Sequence, residues 1–510
     1  MTFPGLLYPT DIESTFFERD EVPDFFVDLN LDQVVDAITG QKQEYNLTPL
    51  FYAPLREIEA IQYRQEIFKD LQNEKTLKAI KAFAEKMVLV RRYLNMISKL
   101  YYKYHQEGWF LEAAVIYCEA VQTLTQDLQG ASIKSKGLVN FLAYITEYTG
   151  SPDFIKLQAD SLERKADLAA IQYSIIIKDN WVRVRKYESE IDYSKEVERT
   201  FEKFKQGEVK NYRIDLVVSS GMNHVEAQIL ECVAKLFPAA FRELDAYYSQ
   251  HLGFMDQVIL TFDRQIQFYV SYLDFIGTLK EKGYEFCFPA MTQNKSIHAR
   301  ETFDIALANK RFYESAPVVC NDFYVEGDER ILVVSGPNQG GKTTFARMFG
   351  QLHFLASLGC PIPGKEATLF LYDRIFTHFE KEEDIRNLRG KLQDDLVRIH
   401  NILDTATSNS IIIMNEIFSS TTLKDAVFLS KEIIQRIIDL DALCVCVTFI
   451  DELSTLGTQT VSMVSTVVPE NPTQRTFKII RMLADGLSYA LCIAEKHRLT
   501  YHSIKERILQ

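Results

Sequence analysis

Residues 331–347 read ILVVSGPNQGGKTTFAR, and the remainder of the chain is interpreted outward from them. Ile331, Leu332, Val333 and Val334 suit a parallel strand covered on both faces, which has no need of polar alternation. The run then breaks into Gly336, Pro337, Asn338, Gln339, Gly340, Gly341, Lys342 and Thr343, satisfying G-x-x-x-x-G-K-[ST] at every fixed position. In that pattern glycines let backbone N–H groups close on phosphate oxygens, the lysine reaches the β- and γ-phosphates, and the threonine hydroxyl holds magnesium. After Thr344, the residues Phe345, Met348, Phe349, Leu352 and Leu355 recur at helical spacing, so a helix N-terminus adds its positive end to the anion site. A glycine-rich turn with a stray lysine would lack both the strand before and the helix after. The expectation is a nucleoside triphosphate site in an α/β P-loop domain.

Composition bounds the rest. At 510 residues the chain has length for about three domains. Its 21 glycines and 14 prolines fall below the usual shares of about 7% and 5%, which favours long helices. The eight cysteines form no C-x-x-C pair and sit in apolar runs, as buried thiols of a reducing compartment do. No apolar run reaches the roughly 18 residues of a membrane helix, and the first residues lack the basic region of a secretion signal. A cytoplasmic protein without a membrane partner is expected. The net charge of −13 means that any DNA contact must come from a local patch or an assembly, because DNA-gripping proteins are usually basic.

Taken in order, residues 1–48 read as an irregular lead-in with a short helix over 31–37. Residues 49–300 read as a long all-α region, with helical runs over 77–104, 111–142 and 223–282. A β-hairpin at 173–187 interrupts it, turning at Asp179-Asn180. Lys178, Arg183, Arg185 and Lys186 make the hairpin basic, but glutamates interleave with the lysines that follow, so a solvated face is the simpler expectation. Residues 301–510 read as the nucleotide domain, a mostly parallel sheet flanked by helices. Its further strands are expected at 374–377, 411–416, 443–448 and 476–482, with a helix over 388–406. In P-loop ATPases the second buried strand ends Asp-Glu, the aspartate in the magnesium shell and the glutamate polarising the attacking water. Here it ends Asn415-Glu416, so the amide oxygen of Asn415 can still coordinate but without charge.

The glycine-rich loop, Asp373-Arg-Ile-Phe-Thr377, Asn415-Glu416-Ile417, Val447-Thr-Phe-Ile-Asp-Glu-Leu453 and Gly486-Leu-Ser-Tyr489 with Ile493-Ala494 together resemble the ATPase domain of MutS-type DNA mismatch-repair proteins. The run from Pro54 to Gln65 and the long helices after it resemble that family's lever domain, with 173–220 in the place of a short DNA clamp. The mismatch-reading and connector domains are expected to be missing, as is a nuclease-like extension. The resemblance implies an ATP- and Mg²⁺-binding, DNA-binding protein of mismatch repair or recombination. It also implies a homodimer or a heterodimer with another MutS-like subunit, joined through a C-terminal helical segment. Residue by residue, it implies that 336–344 hold ATP with Lys342 on its phosphates. Val318 and Val319 would pack on adenine, Thr343 and Asn415 would face magnesium, and Glu416 would activate water. Three departures point to slow hydrolysis: Asn415 itself, Phe449 where the family carries a histidine, and Gly390 with the Phe418-Ser-Ser-Thr-Thr loop where other residues are expected. A second reading is a nucleotide-gated dimeric scaffold that does not touch DNA. A P-loop kinase or transport ATPase fits less well, since no LSGGQ-like loop occurs.

Overall fold

Side-chain caps open several of the helices. Asn73 accepts from the N–H groups of Lys75 and Thr76 and opens the helix Glu74–Ile97. Ser151 accepts from Phe154 N–H ahead of Pro152–Ala169, and Asn223 and Glu226 form a reciprocal capping box at the start of His224–Leu236. Each such cap is worth about 1 kcal/mol. These elements belong to a computed structural model that describes residues 3–9, 18–179, 181–189, 222–312, 314, 318–380, 390–418, 420–468, 471–484, 499–501 and 504–505. The basic segment expected after the hairpin, the Gly486 to Ala494 motif and most of the C-terminal segment lie outside the described residues.

The chain divides into two compact units. The first comprises Met1–Phe3, Asn73–Ile133 and Val139–Asp263. It holds the helices Glu74–Ile97, Lys103–Gln129, Pro152–Ala169, His224–Leu236 and Pro238–Gln250. Its core includes Phe83, Met87, Tyr117, Val121, Phe141 and Phe262, all buried. The hairpin pairs Tyr173–Lys178 with Trp181–Lys186 in antiparallel register, as expected from the sequence, with Asp179 in the left-handed turn conformation. The expected long helical runs are broken more often: at 98–102, at 130–135, at Phe237-Pro238 and at 251–256. Pro238 accounts for the third break, because it lacks the N–H a continuing helix needs.

The second unit comprises Pro4–Gln72, Lys134–Leu138 and Arg264–Gln510. This partition differs from a linear one near residue 300, and Arg64 gives the reason. Its fully buried guanidinium donates to the carbonyls of Leu7 (3.0 Å) and Leu358 (3.1 Å) and to Tyr8 Oη (2.6 Å), holding early and late chain together. A six-stranded sheet forms the unit's centre, built from β1 (Ile331–Ser335), β2 (Ile375–His378), β3 (Ile411–Asn415), β4 (Leu443–Val447), β5 (Thr460–Val468) and β6 (Asn471–Arg481). The order is β2-β3-β4-β1-β5-β6, with the first five parallel and β6 antiparallel to β5. Strands β1, β3 and β4 are buried at every residue, which matches their unbroken apolar sequence.

Helix α1 (Lys342–Ser357) follows β1 and is buried nearly all round. Its Gln351 amide donates to Leu29 O (2.8 Å) and Asp304 Oδ1 (2.9 Å) and accepts from Ile305 N–H (3.0 Å), so no buried amide atom is left unbonded. Gly350 lies where a Cβ would come within 2.6 Å of Leu29 Cδ1. Among the described residues no helix is long and apolar enough to cross a membrane.

Candidate functional site

The carboxyl ends of β1, β3 and β4 lie side by side, which is where open α/β sheets bind ligands. From β1 the chain enters the 336–343 loop with Gly336 (φ 110°), Gln339 (φ 59°) and Gly341 (φ 91°) in left-handed conformations. A Cβ on Gly336 would stand 2.8 Å from the carbonyl oxygen of Ser465, and one on Gly340 would run into Ser465 Oγ. Ser465, on β5, also donates its hydroxyl to Gly340 O (2.7 Å). Gly336 is therefore required twice, for backbone conformation and for close approach of the neighbouring strand, and Gly340 for the close approach alone. Gly341 precedes α1 directly, so the first N–H groups of the helix have no helical acceptor and form a positive end.

Lys342 is buried, and its Nζ donates to the carbonyls of Gly336 (2.9 Å) and Pro337 (3.2 Å). The Phe449 ring stands over the ammonium at 4.3 Å from its centroid. Burial holds the Lys342 ammonium below its usual pKa, the Glu416 carboxylate opposing this and Arg475 adding to it. Thr343 Oγ1 donates to Asn415 Oδ1 at 2.8 Å. Thr344, half-buried, completes the first turn. Two uncharged oxygens so placed suit Mg²⁺, which takes few protein ligands and fills its shell with phosphate and water oxygens. Among the described residues no group of three or more His, Cys, Asp or Glu could hold a metal instead.

Glu416 follows β3 in a left-handed conformation (φ 55°), with its N–H bonded to Val447 O at 2.9 Å. This strained backbone turns the residue out of the strand at the point where Asn415 ends it. Phe418, also left-handed (φ 60°), is buried. Gly390 precedes the helix Lys391–Thr405 and gives it no side-chain cap.

The sequence pattern did not single out three residues that meet the loop from β5 and β6: Ser465, Arg475 and Phe477. Arg475 Nε donates to Asn338 O at 3.1 Å. Phe477 has φ 58° within a strand, its ring is 45% exposed, and it lies beside Gly341. Asn321 bonds the strand at and just after that strained residue, donating to Phe477 O (3.2 Å) and accepting from Ile479 N–H (2.7 Å). Val318, the expected adenine contact, is buried with its N–H bonded to Tyr284 Oη at 2.9 Å. The strained aromatic was the available signal, but φ is not legible in a sequence.

Residues 332–506 match the family model of MutS domain V. That stretch runs from β1 past β6 and takes in the glycine-rich loop, Asn415, Glu416 and Phe449. Over this stretch, about a third of its length, the chain is similar to the ATPase domain of MutS-type proteins.

Proposed function

We propose that the chain binds ATP with Mg²⁺ on the 336–343 loop and hydrolyses it slowly, as a DNA-binding, MutS-like dimer acting in mismatch repair or recombination. The observation that carries the nucleotide reading is the loop itself. Two left-handed glycines, a buried lysine and a free helix N-terminus converge where a parallel sheet ends. Lys342 balances the charge of the β- and γ-phosphates. Thr343 and Asn415 would hold magnesium, which would supply positive charge against that developing on the phosphates. Glu416 accepts the proton of the water that attacks the γ-phosphorus, while the bond to the bridging oxygen of ADP breaks. The exposed Phe477 ring offers the base a stacking face that buried Val318 lacks. Asn415 brings no charge to the metal, which is the reason for expecting slow turnover.

DNA binding is supported by the hairpin. In its register Ser174 opposes Arg185, Ile176 opposes Arg183 and Lys178 opposes Trp181, so these side chains share one face. That face carries three cations and a tryptophan that is 47% exposed. A nucleotide-gated scaffold without DNA binding remains the second reading, favoured by the net charge of −13. Titrating labelled branched and mismatched duplexes at several salt concentrations separates the two. The DNA-binding reading expects affinity that falls steeply with salt and weakens further in Lys178→Glu/Arg183→Glu. Absence of binding at low salt, with or without ATP, would leave the scaffold.

A further inference from the structure

The ammonium of Lys342 has three hydrogens to share. Two are taken by the carbonyls of Gly336 and Pro337, and the ring of Phe449 covers a further side at 4.3 Å. Phe449 is itself 54% exposed, so the residue that covers the buried ammonium also meets solvent. Its backbone is fixed on either flank: Thr448 N–H bonds to Val334 O (3.0 Å), and Ile450 N–H bonds to Thr448 Oγ1 (3.0 Å). The cap thus belongs to the segment directly after β4, the strand that pairs with β1.

We propose that Phe449 is a specificity-determining residue that caps Lys342 and competes with the terminal phosphates of a bound nucleotide for its ammonium. This rests on the nucleotide site proposed above. A phosphate oxygen reaching Lys342 must displace the ring or the carbonyls, because the ammonium has no fourth side to offer. A nucleoside monophosphate does not extend to the lysine and meets no such competition. The cap therefore weakens di- and triphosphate binding while leaving monophosphate binding as it is. A ring over a partly desolvated ammonium is a strong enough contact for this to be measured.

The test is calorimetric binding of ATP, ADP and AMP to the full chain and to Phe449→Leu, Phe449→Trp, Lys342→Ala and Lys342→Ala/Phe449→Leu. Phe449→Leu is expected to tighten ATP and ADP roughly 5- to 30-fold and to leave AMP unchanged. Phe449→Trp, with a stronger ring quadrupole, is expected to weaken ATP, and the leucine effect is expected to vanish when Lys342 is alanine. Unchanged or weaker ATP binding in Phe449→Leu, or equal tightening of AMP, overturns the cap while the nucleotide site stands. A wild-type chain that binds none of the three nucleotides overturns the site and the cap together.

Discussion

At the scale of single residues, the most demanding position is Gly340. Its backbone carbonyl receives the Ser465 hydroxyl, and a methyl group there would meet that same oxygen. Gly340→Ala must therefore push β5 away from the loop or distort the loop itself. The expected result is a loss of about 1–3 kcal/mol in stability together with loss of nucleotide binding. Urea unfolding and calorimetry on the same preparation check both. Ser465→Ala/Gly340→Ala, which removes the obstructing oxygen, should recover part of the stability. Lys342 and Thr343 stand out in the sequence because the phosphate-loop pattern sets those residue types at fixed spacing, and Glu416 only because it ends the second buried strand. The role of Phe449 was legible only as a departure, since nothing in a sequence places a ring over a lysine.

At the scale of elements, β6 pairs with β5 and is also bonded by a side chain from outside the sheet. Asn321 bonds to Phe477 O and Ile479 N–H, just after a backbone conformation that phenylalanine rarely adopts. Asn321→Ala leaves two backbone groups without those partners, and a loss of about 1–3 kcal/mol in thermal or urea unfolding is expected. Nucleotide affinity should fall with it if Phe477 serves the base. A second element carries a pH signature. On the helix Lys103–Gln129, burial and then the neighbouring Asp245 carboxyl push Glu107 from 4.5 up to about 8, against the pull of Lys103. A carboxyl raised in the folded state stabilises the fold below its unfolded pKa, and that stability is lost as pH rises through the folded one. Stability of the wild type should thus fall between pH 4.5 and about 8, and Glu107→Gln should flatten that slope in a urea series. Strands β1, β3 and β4 were readable because doubly covered strands are apolar throughout. Strand β5 was not: TVSMVSTVV mixes hydroxyls into the run, and one of them, Ser465, is there to bond the loop. The break at 98–102 has no proline or glycine to announce it, whereas Gly130 marks the next.

At the scale of the whole molecule, the match to the MutS domain V model covers residues 332–506, and the proposed nucleotide site lies within that stretch, with Asn321 contributing from outside. The fold around the site was foreseeable because one loop pattern, one preceding strand and one following helix constrain each other. The division of the chain was less so, since Pro4–Gln72 joins the sheet-bearing unit through contacts such as those of Arg64 that leave no local pattern. The central claim is that the 336–343 loop binds and turns over ATP. The most direct measurement is steady-state phosphate release by the purified full chain with Mg²⁺, with and without branched and mismatched duplex, beside Lys342→Ala and Glu416→Ala. The account predicts slow turnover that DNA stimulates, with Lys342→Ala binding ATP more weakly and losing turnover and Glu416→Ala keeping binding while losing turnover. A wild-type chain that binds no nucleotide, or turnover that survives in both variants, would contradict it.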